Sequence, residues 1–153
     1  MNLNDVPEDE ARALLAARYT CEDYGEWATT KASPEAYMVS CGLLDGDGAR
    51  TNLYVELFVK VSQKTKITHY KFSVMRRRPL DGRVYQLEIK VLPRVLKDQH
   101  QMPHEHIGRH REPGDTTWAA WGFDEVLARF VQQTNIEFRP DLGSPLDFRL
   151  RPS

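Results

Sequence analysis

Leu53, Val55, Leu57, Val59 and Val61 alternate with Tyr54, Glu56, Phe58 and Lys60, the period-two pattern of a strand with one face in a core. The alternation returns over 67–75, where Thr68, Tyr70, Phe72 and Val74 share one face and His69, Lys71 and Ser73 the other. It returns again over 85–91, with Tyr85, Leu87, Ile89 and Val91 against Gln86, Glu88 and Lys90. A shorter apolar run over 37–44 precedes these. The connections Asp45-Gly46-Asp47-Gly48, Gln63-Lys64-Thr65 and Arg78-Pro79-Leu80-Asp81-Gly82 carry the residues that tight turns favour. Successive hairpins predict an antiparallel β-meander of about five strands over 37–111, with Pro103 opening the last.

Two segments change period. Asp5 as N-cap, Pro7 in the first turn and the acidic Glu8, Asp9 and Glu10 predict a helix over 5–19. Its apolar stripe is Ala11, Leu14, Leu15 and Tyr19. A second helix is predicted over 124–135, with Phe123 as staple, Asp124 as cap and Val126, Leu127, Phe130 and Val131 as its stripe. Residues 20–34 read as a loop pinned by Tyr24 and Trp27. Residues 138–153 read as an extended tail with a short edge strand at 147–150. The expected fold is one α+β domain over 1–153, a meander flanked by an N-terminal and a C-terminal helix.

Composition narrows the class. A 153-residue chain that is 41% hydrophobic and 28% charged is globular. It has neither an apolar run of membrane-spanning length nor a signal-peptide layout, so a cytoplasmic protein without membrane contact is expected. Cys21 and Cys41 lack metal-ligand spacing and read as buried free thiols. No phosphate-cradling loop, nucleophile elbow or zinc-protease helix is present, and no cofactor is expected.

The net charge of −1 conceals a segregation of charge. Residues 60–111 hold thirteen Lys and Arg against four acids, an excess of +9, while 1–59 carry −7 and 112–153 carry −3. This pattern suggests a surface for a polyanion, with Lys71, Arg76, Arg77, Arg78, Arg83, Arg94, Lys97 and Arg111 as phosphate-binding candidates. Tyr70, Phe72 and Tyr85 are stacking candidates only if their face is open, and their alternation places them inward. The competing reading pairs the basic strands with the acidic N-terminal segment of the same molecule.

Four of the five histidines, His100, His104, His106 and His110, fall within eleven residues. On one continuous strand His104, His106 and His110 would share a face, with Glu105, Arg109 and Arg111 on the other. Two imidazoles on one face suit acid–base cleavage of RNA, with Arg109 or Arg111 stabilising the phosphorane if a bulge at Gly108 re-aims it. The catalytic candidates are therefore His104, His106, Arg109 and His110. A metal site using His104 and His106 with His110 or His100 is a second reading, although no metal is expected because the nearby acids miss the histidine parity. A solvated histidine row is the third.

The segment Met102-Pro103-His104-Glu105-His106-Ile107 through Arg111-Glu112, followed by Trp118 and a helix ending in Phe130 to Asn135-Ile136, resembles a small family of bacterial and prophage proteins of unassigned activity. Its His-x-His strand before a Glu-Pro turn is more distantly similar to TumE-like toxins of toxin–antitoxin modules. The resemblance spans roughly residues 53–138 and implies a mobile-element or defence setting. The expected function is a small cytosolic protein of a phage, prophage or toxin–antitoxin system acting on nucleic acid, as a metal-independent ribonuclease. The alternative is a non-enzymatic anti-defence protein, such as an anti-CRISPR, that binds and blocks a host complex. The expected partner is RNA, single-stranded DNA, or a host or antitoxin protein, with a homodimer left open.

Overall fold

A computed structural model describes residues 5–22, 24–91 and 103–146. Helix α1 (Glu8–Leu15) is followed by β1 (Tyr19–Glu22), β2 (Ala36–Leu44), β3 (Arg50–Val61), β4 (Thr68–Arg76) and β5 (Gly82–Val91). Then come β6 (His104–Ile107), β7 (His110–Pro113), a 3-10 turn (Thr116–Ala120), α2 (Phe123–Thr134) and β8 (Ile136–Arg139). The class is α+β, as the alternation predicts, but the sheet has eight strands rather than about five. They run in the order β7-β6-β5-β4-β3-β2-β1-β8.

Every pairing is antiparallel except β1 with β8, which is parallel from Tyr19↔Ile136 to Glu22↔Arg139. The chain leaves one edge at β7 and re-enters at the opposite edge as β8. Helix α2 lies on that crossing and covers one face of the sheet. Phe72 meets Phe123 and Phe130 edge-on at 6.0 and 5.7 Å. Leu53, Val55, Leu57, Val59, Phe72, Val74, Leu87 and Ile89 are buried on the covered face. Tyr70, Phe72 and Tyr85 belong to this core and not to any exposed stacking surface. Helix α1 packs beside α2 on the same face, where Arg12, Leu15 and Gln133 line a small cavity over Tyr85 and Ile107.

Several local expectations are corrected. Asp5 does not cap α1: the cap position is Pro7, and Asp5, only 3% exposed, accepts from Arg83. The helix stops at Leu15, because Tyr19 turns into β1 with its hydroxyl donating to Leu14 O at 2.6 Å. Helix α2 is capped by Gly122, whose N–H donates to Glu125 Oε2 at 3.1 Å, and Asp124 lies in its first turn. Tyr24 and Trp27 do pin their segment, through Pro140 O and Gly143 O. Part of the expected tail is β8, and the edge strand expected at 147–150 lies outside the described residues. Among the described residues no helix is long and apolar enough to cross a membrane.

Candidate functional site

The histidine segment is two strands and not one. Gly108 has φ +57° and begins a two-residue turn, so Ile107 pairs with His110 and His106 with Arg111. A Cβ on Gly108 would meet Val6 O at 2.1 Å and Ala11 Cβ at 3.1 Å, so both the backbone conformation and the space require glycine. The Gly108 and Arg109 amides donate to Val84 O and Val6 O, which fixes the turn against β5 and the N-terminal segment.

The turn overturns the expected parity, because residues paired across antiparallel strands share a face. His110 joins the helix-covered side of Ile107, where it meets Glu112 at 2.5 Å and Glu8 at 3.7 Å. Arg111 joins the opposite, open side beside His106 and needs no bulge to reach it. Arg109 is tied by its Nε to Asp5 O at 2.9 Å. Of the four catalytic candidates the structure therefore brings together His104 and His106, and places His110 and Arg109 elsewhere.

On the open face the register of β4, β5, β6 and β7 assembles the remaining groups. Glu88 stands between Lys71 and His104, and Gln86 between Ser73 and His106. The Glu88 carboxylate takes His69 Nε2 at 2.6 Å on one oxygen and His104 Nε2 at 3.2 Å on the other. These two hydrogen bonds hold its pKa well below the usual carboxylate range, against the opposing effect of burial. The rings of His104 and His106 meet edge-on with centroids 5.0 Å apart.

His106 is in the reverse situation. Burial, then the electrostatic effect of neighbouring Arg83, His104 and Arg111, lowers its pKa to about 4, so it is neutral near pH 7. Its Nδ1 is buried and makes no hydrogen bond, which leaves Nε2 as the nitrogen that can meet a ligand. The sequence reading missed His69. It lies thirty-five residues before His104, and its only signal was its position on the polar face of a strand whose neighbour carries Glu88.

The basic candidates divide. Arg76 is paired with Glu10 at 2.6 Å, and Arg83 with Asp5 at 2.7 Å and Gln86 at 3.2 Å. The acidic N-terminal segment thus neutralises two of them. Lys71 and Arg111 lie on the open face with the histidines. Arg77 and Arg78 form a separate group with Arg50 at one end of the sheet. Arg94, Lys97 and His100 fall outside the described residues.

Cys21 and Cys41 are buried free thiols, and burial raises the pKa of Cys21. The ligand set His104, His106 and His110 is split between two faces. Among the described residues no three His, Cys, Asp or Glu side chains converge as a metal site. Comparison with family models, curated proteins and solved structures finds no match.

Proposed function

We propose that the protein cleaves single-stranded RNA by metal-independent acid–base catalysis on the open face of the sheet, in the setting of a phage, prophage or toxin–antitoxin system. The observation that carries this reading is the contrast between two imidazoles 5.0 Å apart. One is held neutral by burial, and the other is held against an ionised carboxylate. A buried neutral imidazole suits a proton acceptor, and an imidazole oriented by a carboxylate suits the role of proton donor.

His106 takes the 2′-hydroxyl proton while the 2′-oxygen attacks phosphorus. The P–O5′ bond breaks, and His104, oriented by Glu88 in the manner of a carboxylate–histidine pair, gives a proton to the leaving 5′-oxygen. The products are a 2′,3′-cyclic phosphate and a 5′-hydroxyl end. Arg111, beside His106, and Lys71, beside Glu88, supply positive charge for the phosphorane.

RNA incubated with the protein in EDTA should yield cyclic-phosphate ends. His106→Gln and His104→Gln should each lower the rate by ~10²-fold or more, since single acid–base groups contribute ~10²–10⁴-fold. Wild-type protein that leaves RNA intact, or full activity in both variants, rejects the reading. One observation favours a non-enzymatic anti-defence role instead: Leu80 is 61% exposed at the tip of the arginine-rich β4–β5 hairpin, where a protein partner would bury it. A tight complex with a host protein, without cleavage of any RNA, is the outcome that reading requires.

A further inference from the structure

We propose that the cleft formed by Arg50, Arg77 and Arg78 is a second RNA subsite, which holds an unpaired base and its flanking phosphates while the chain crosses the open face to the histidines. This deepens the proposed function and rests on it for the identity of the polyanion.

The cleft encloses about 940 Å³ between the backbone of residues 40–44 and the three arginines, at the upper end of the range for ligand sites. Among the described residues none of the three has a carboxylate within 4.0 Å. The one acid in the lining, Glu22, faces Arg139 at 3.7 Å. Arg76, adjacent in sequence, is spent on Glu10. Uncompensated guanidinium groups gathered in a concave site are an anion-binding arrangement.

Arg77 and Arg78 are also held in place. Asn52 clamps the strand end, its Oδ1 accepting from Arg78 N at 3.2 Å and its Nδ2 donating to Arg78 O at 2.8 Å. Its carbonyl accepts from Arg77 N at 2.9 Å. The Arg77 guanidinium then lies 4.8 Å over the ring of Tyr54. Gly42, paired with Tyr54 on the neighbouring strand, lies beside that guanidinium, and a Cβ there would make only an ordinary contact with it at 3.7 Å. The Arg77 guanidinium, which lines the cleft while lying over the half-buried Tyr54, is a planar group on which an unpaired base can stack and a base inside a duplex cannot.

The two sites share one face. Gly42, Tyr54, Met75 and Arg83 form one row across β2 to β5, and the next row runs through Glu56, Ser73 and Gln86 to His106. His106 is three strands from Tyr54, which at the ordinary strand spacing is roughly 14 Å. A single strand lying across the sheet would reach both, and a dinucleotide at the histidines would not.

Binding is measured by fluorescence anisotropy with a labelled 2′-O-methyl RNA 12-mer, which cannot be cleaved, as a single strand and as a duplex. The single strand should bind more tightly. R50E/R77E/R78E should weaken it at least tenfold and reduce the log–log salt slope by roughly 2, as expected for about three phosphates at ~0.7 each on a single strand. Y54A should weaken binding about tenfold while Y54F stays within about twofold, and this pair leaves the charge of the cleft unaltered. Cleavage of a dinucleotide should be the same in R50E/R77E/R78E as in the wild type.

Equal binding by wild type and both variant sets, or a preference for the duplex, overturns the subsite. If the 12-mer binds and the variants weaken it while no RNA is ever cleaved, the cleft stands and the catalytic reading fails. If RNA is cleaved but the variants bind normally, the cleft alone is rejected.

Discussion

Glu105 and His104 are neighbours on β6 and point to opposite faces of the sheet, and the two faces treat a carboxylate differently. On the covered face Glu105, 3% exposed, accepts from Tyr85 Oη at 2.5 Å and from Arg129 Nε and Nη2 at 2.8 and 3.0 Å. Arg129 is itself packed over Trp118 at 5.0 Å. Glu105 also raises the pKa of Tyr85, after burial the next largest cause, and so keeps the phenol a donor. Both Glu105 oxygens are satisfied by donors anchored in the core, so this network locks α2 to the sheet.

On the open face Glu88 shares its charge between His69 and His104, with side chains 13 to 24% exposed, beside a His106 that has a buried nitrogen unpaired. Glu105 has both oxygens occupied by donors from the core, whereas the open-face groups are half-buried and lie within reach of solvent. The same chemical change made on each face should therefore produce opposite phenotypes.

The largest effect is expected on the covered side. Glu105→Gln keeps the shape and removes the charge, leaving the Arg129 guanidinium without its bidentate partner. Breaking a buried pair costs about 3–5 kcal/mol, and the partial exposure of Arg129 places this one near 3. At ~2–4 °C per kcal/mol for a chain of this size, Tm should fall by roughly 6–12 °C. Activity per folded molecule should be kept. A Tm within about 2 °C of wild type would show that the network contributes little and that the contrast between the faces is not one of structure against function.

Much of this architecture is readable from the residues, and the failures share a cause. The meander is legible because β2 to β5 are long enough, nine to twelve residues, for alternation to declare itself. Strands β1 and β8 alternate too, but with four residues each they are too short for the alternation to declare a strand. They exist because the α2 crossover brings the end of the chain beside its beginning. His104 and His106 were legible as a pair, but the face of His110 depended on whether Gly108 continues the strand or reverses it. That choice was settled by close contact with Val6 and Ala11, about a hundred residues away. His69 joined the site through strand register alone. The +9 segment divided in the same way: Glu10 and Asp5 claim Arg76 and Arg83, and the cleft keeps Arg77 and Arg78.

The matching change on the open side is Glu88→Gln. The amide can still accept one hydrogen bond, and the site is partly wet, so stability should fall by about 1–2 kcal/mol, less than for Glu105→Gln. His104 would lose its counter-charge and much of its orientation. A loss of about tenfold in kcat with KM little altered is the expected result, smaller than for either histidine because Glu88 acts through His104. Equal rates for Glu88→Gln and wild type would show that the carboxylate does not position the acid. A Tm loss as large as that of Glu105→Gln would place Glu88 among the structural groups and erase the difference between the two faces.

The smallest effect is the pH dependence of stability, and it separates the open-face groups from one another. The folded pKa of His106, about 4, lies below the ordinary imidazole value, so between these limits the unfolded chain binds more protons and stability rises with pH. The contribution is complete above about pH 6.5 and is lost as pH falls towards 4. Glu88, whose folded pKa is also depressed, has its contribution in place above the ordinary carboxylate value and loses it at lower pH still. Both therefore favour unfolding on acidification, but in successive windows. Chemical denaturation from pH 7.5 to about 2 should show a decline between 6.5 and 4.5 of ~1–2 kcal/mol, less than the full linkage value because the site is partly solvated, and a further drop below 4.5. His106→Gln should flatten that limb and leave the drop below pH 4.5, while Glu88→Gln should do the converse. If His106→Gln leaves the upper limb unchanged, the imidazole is not held neutral in the folded protein, and the assignment of His106 as the base loses its physical support.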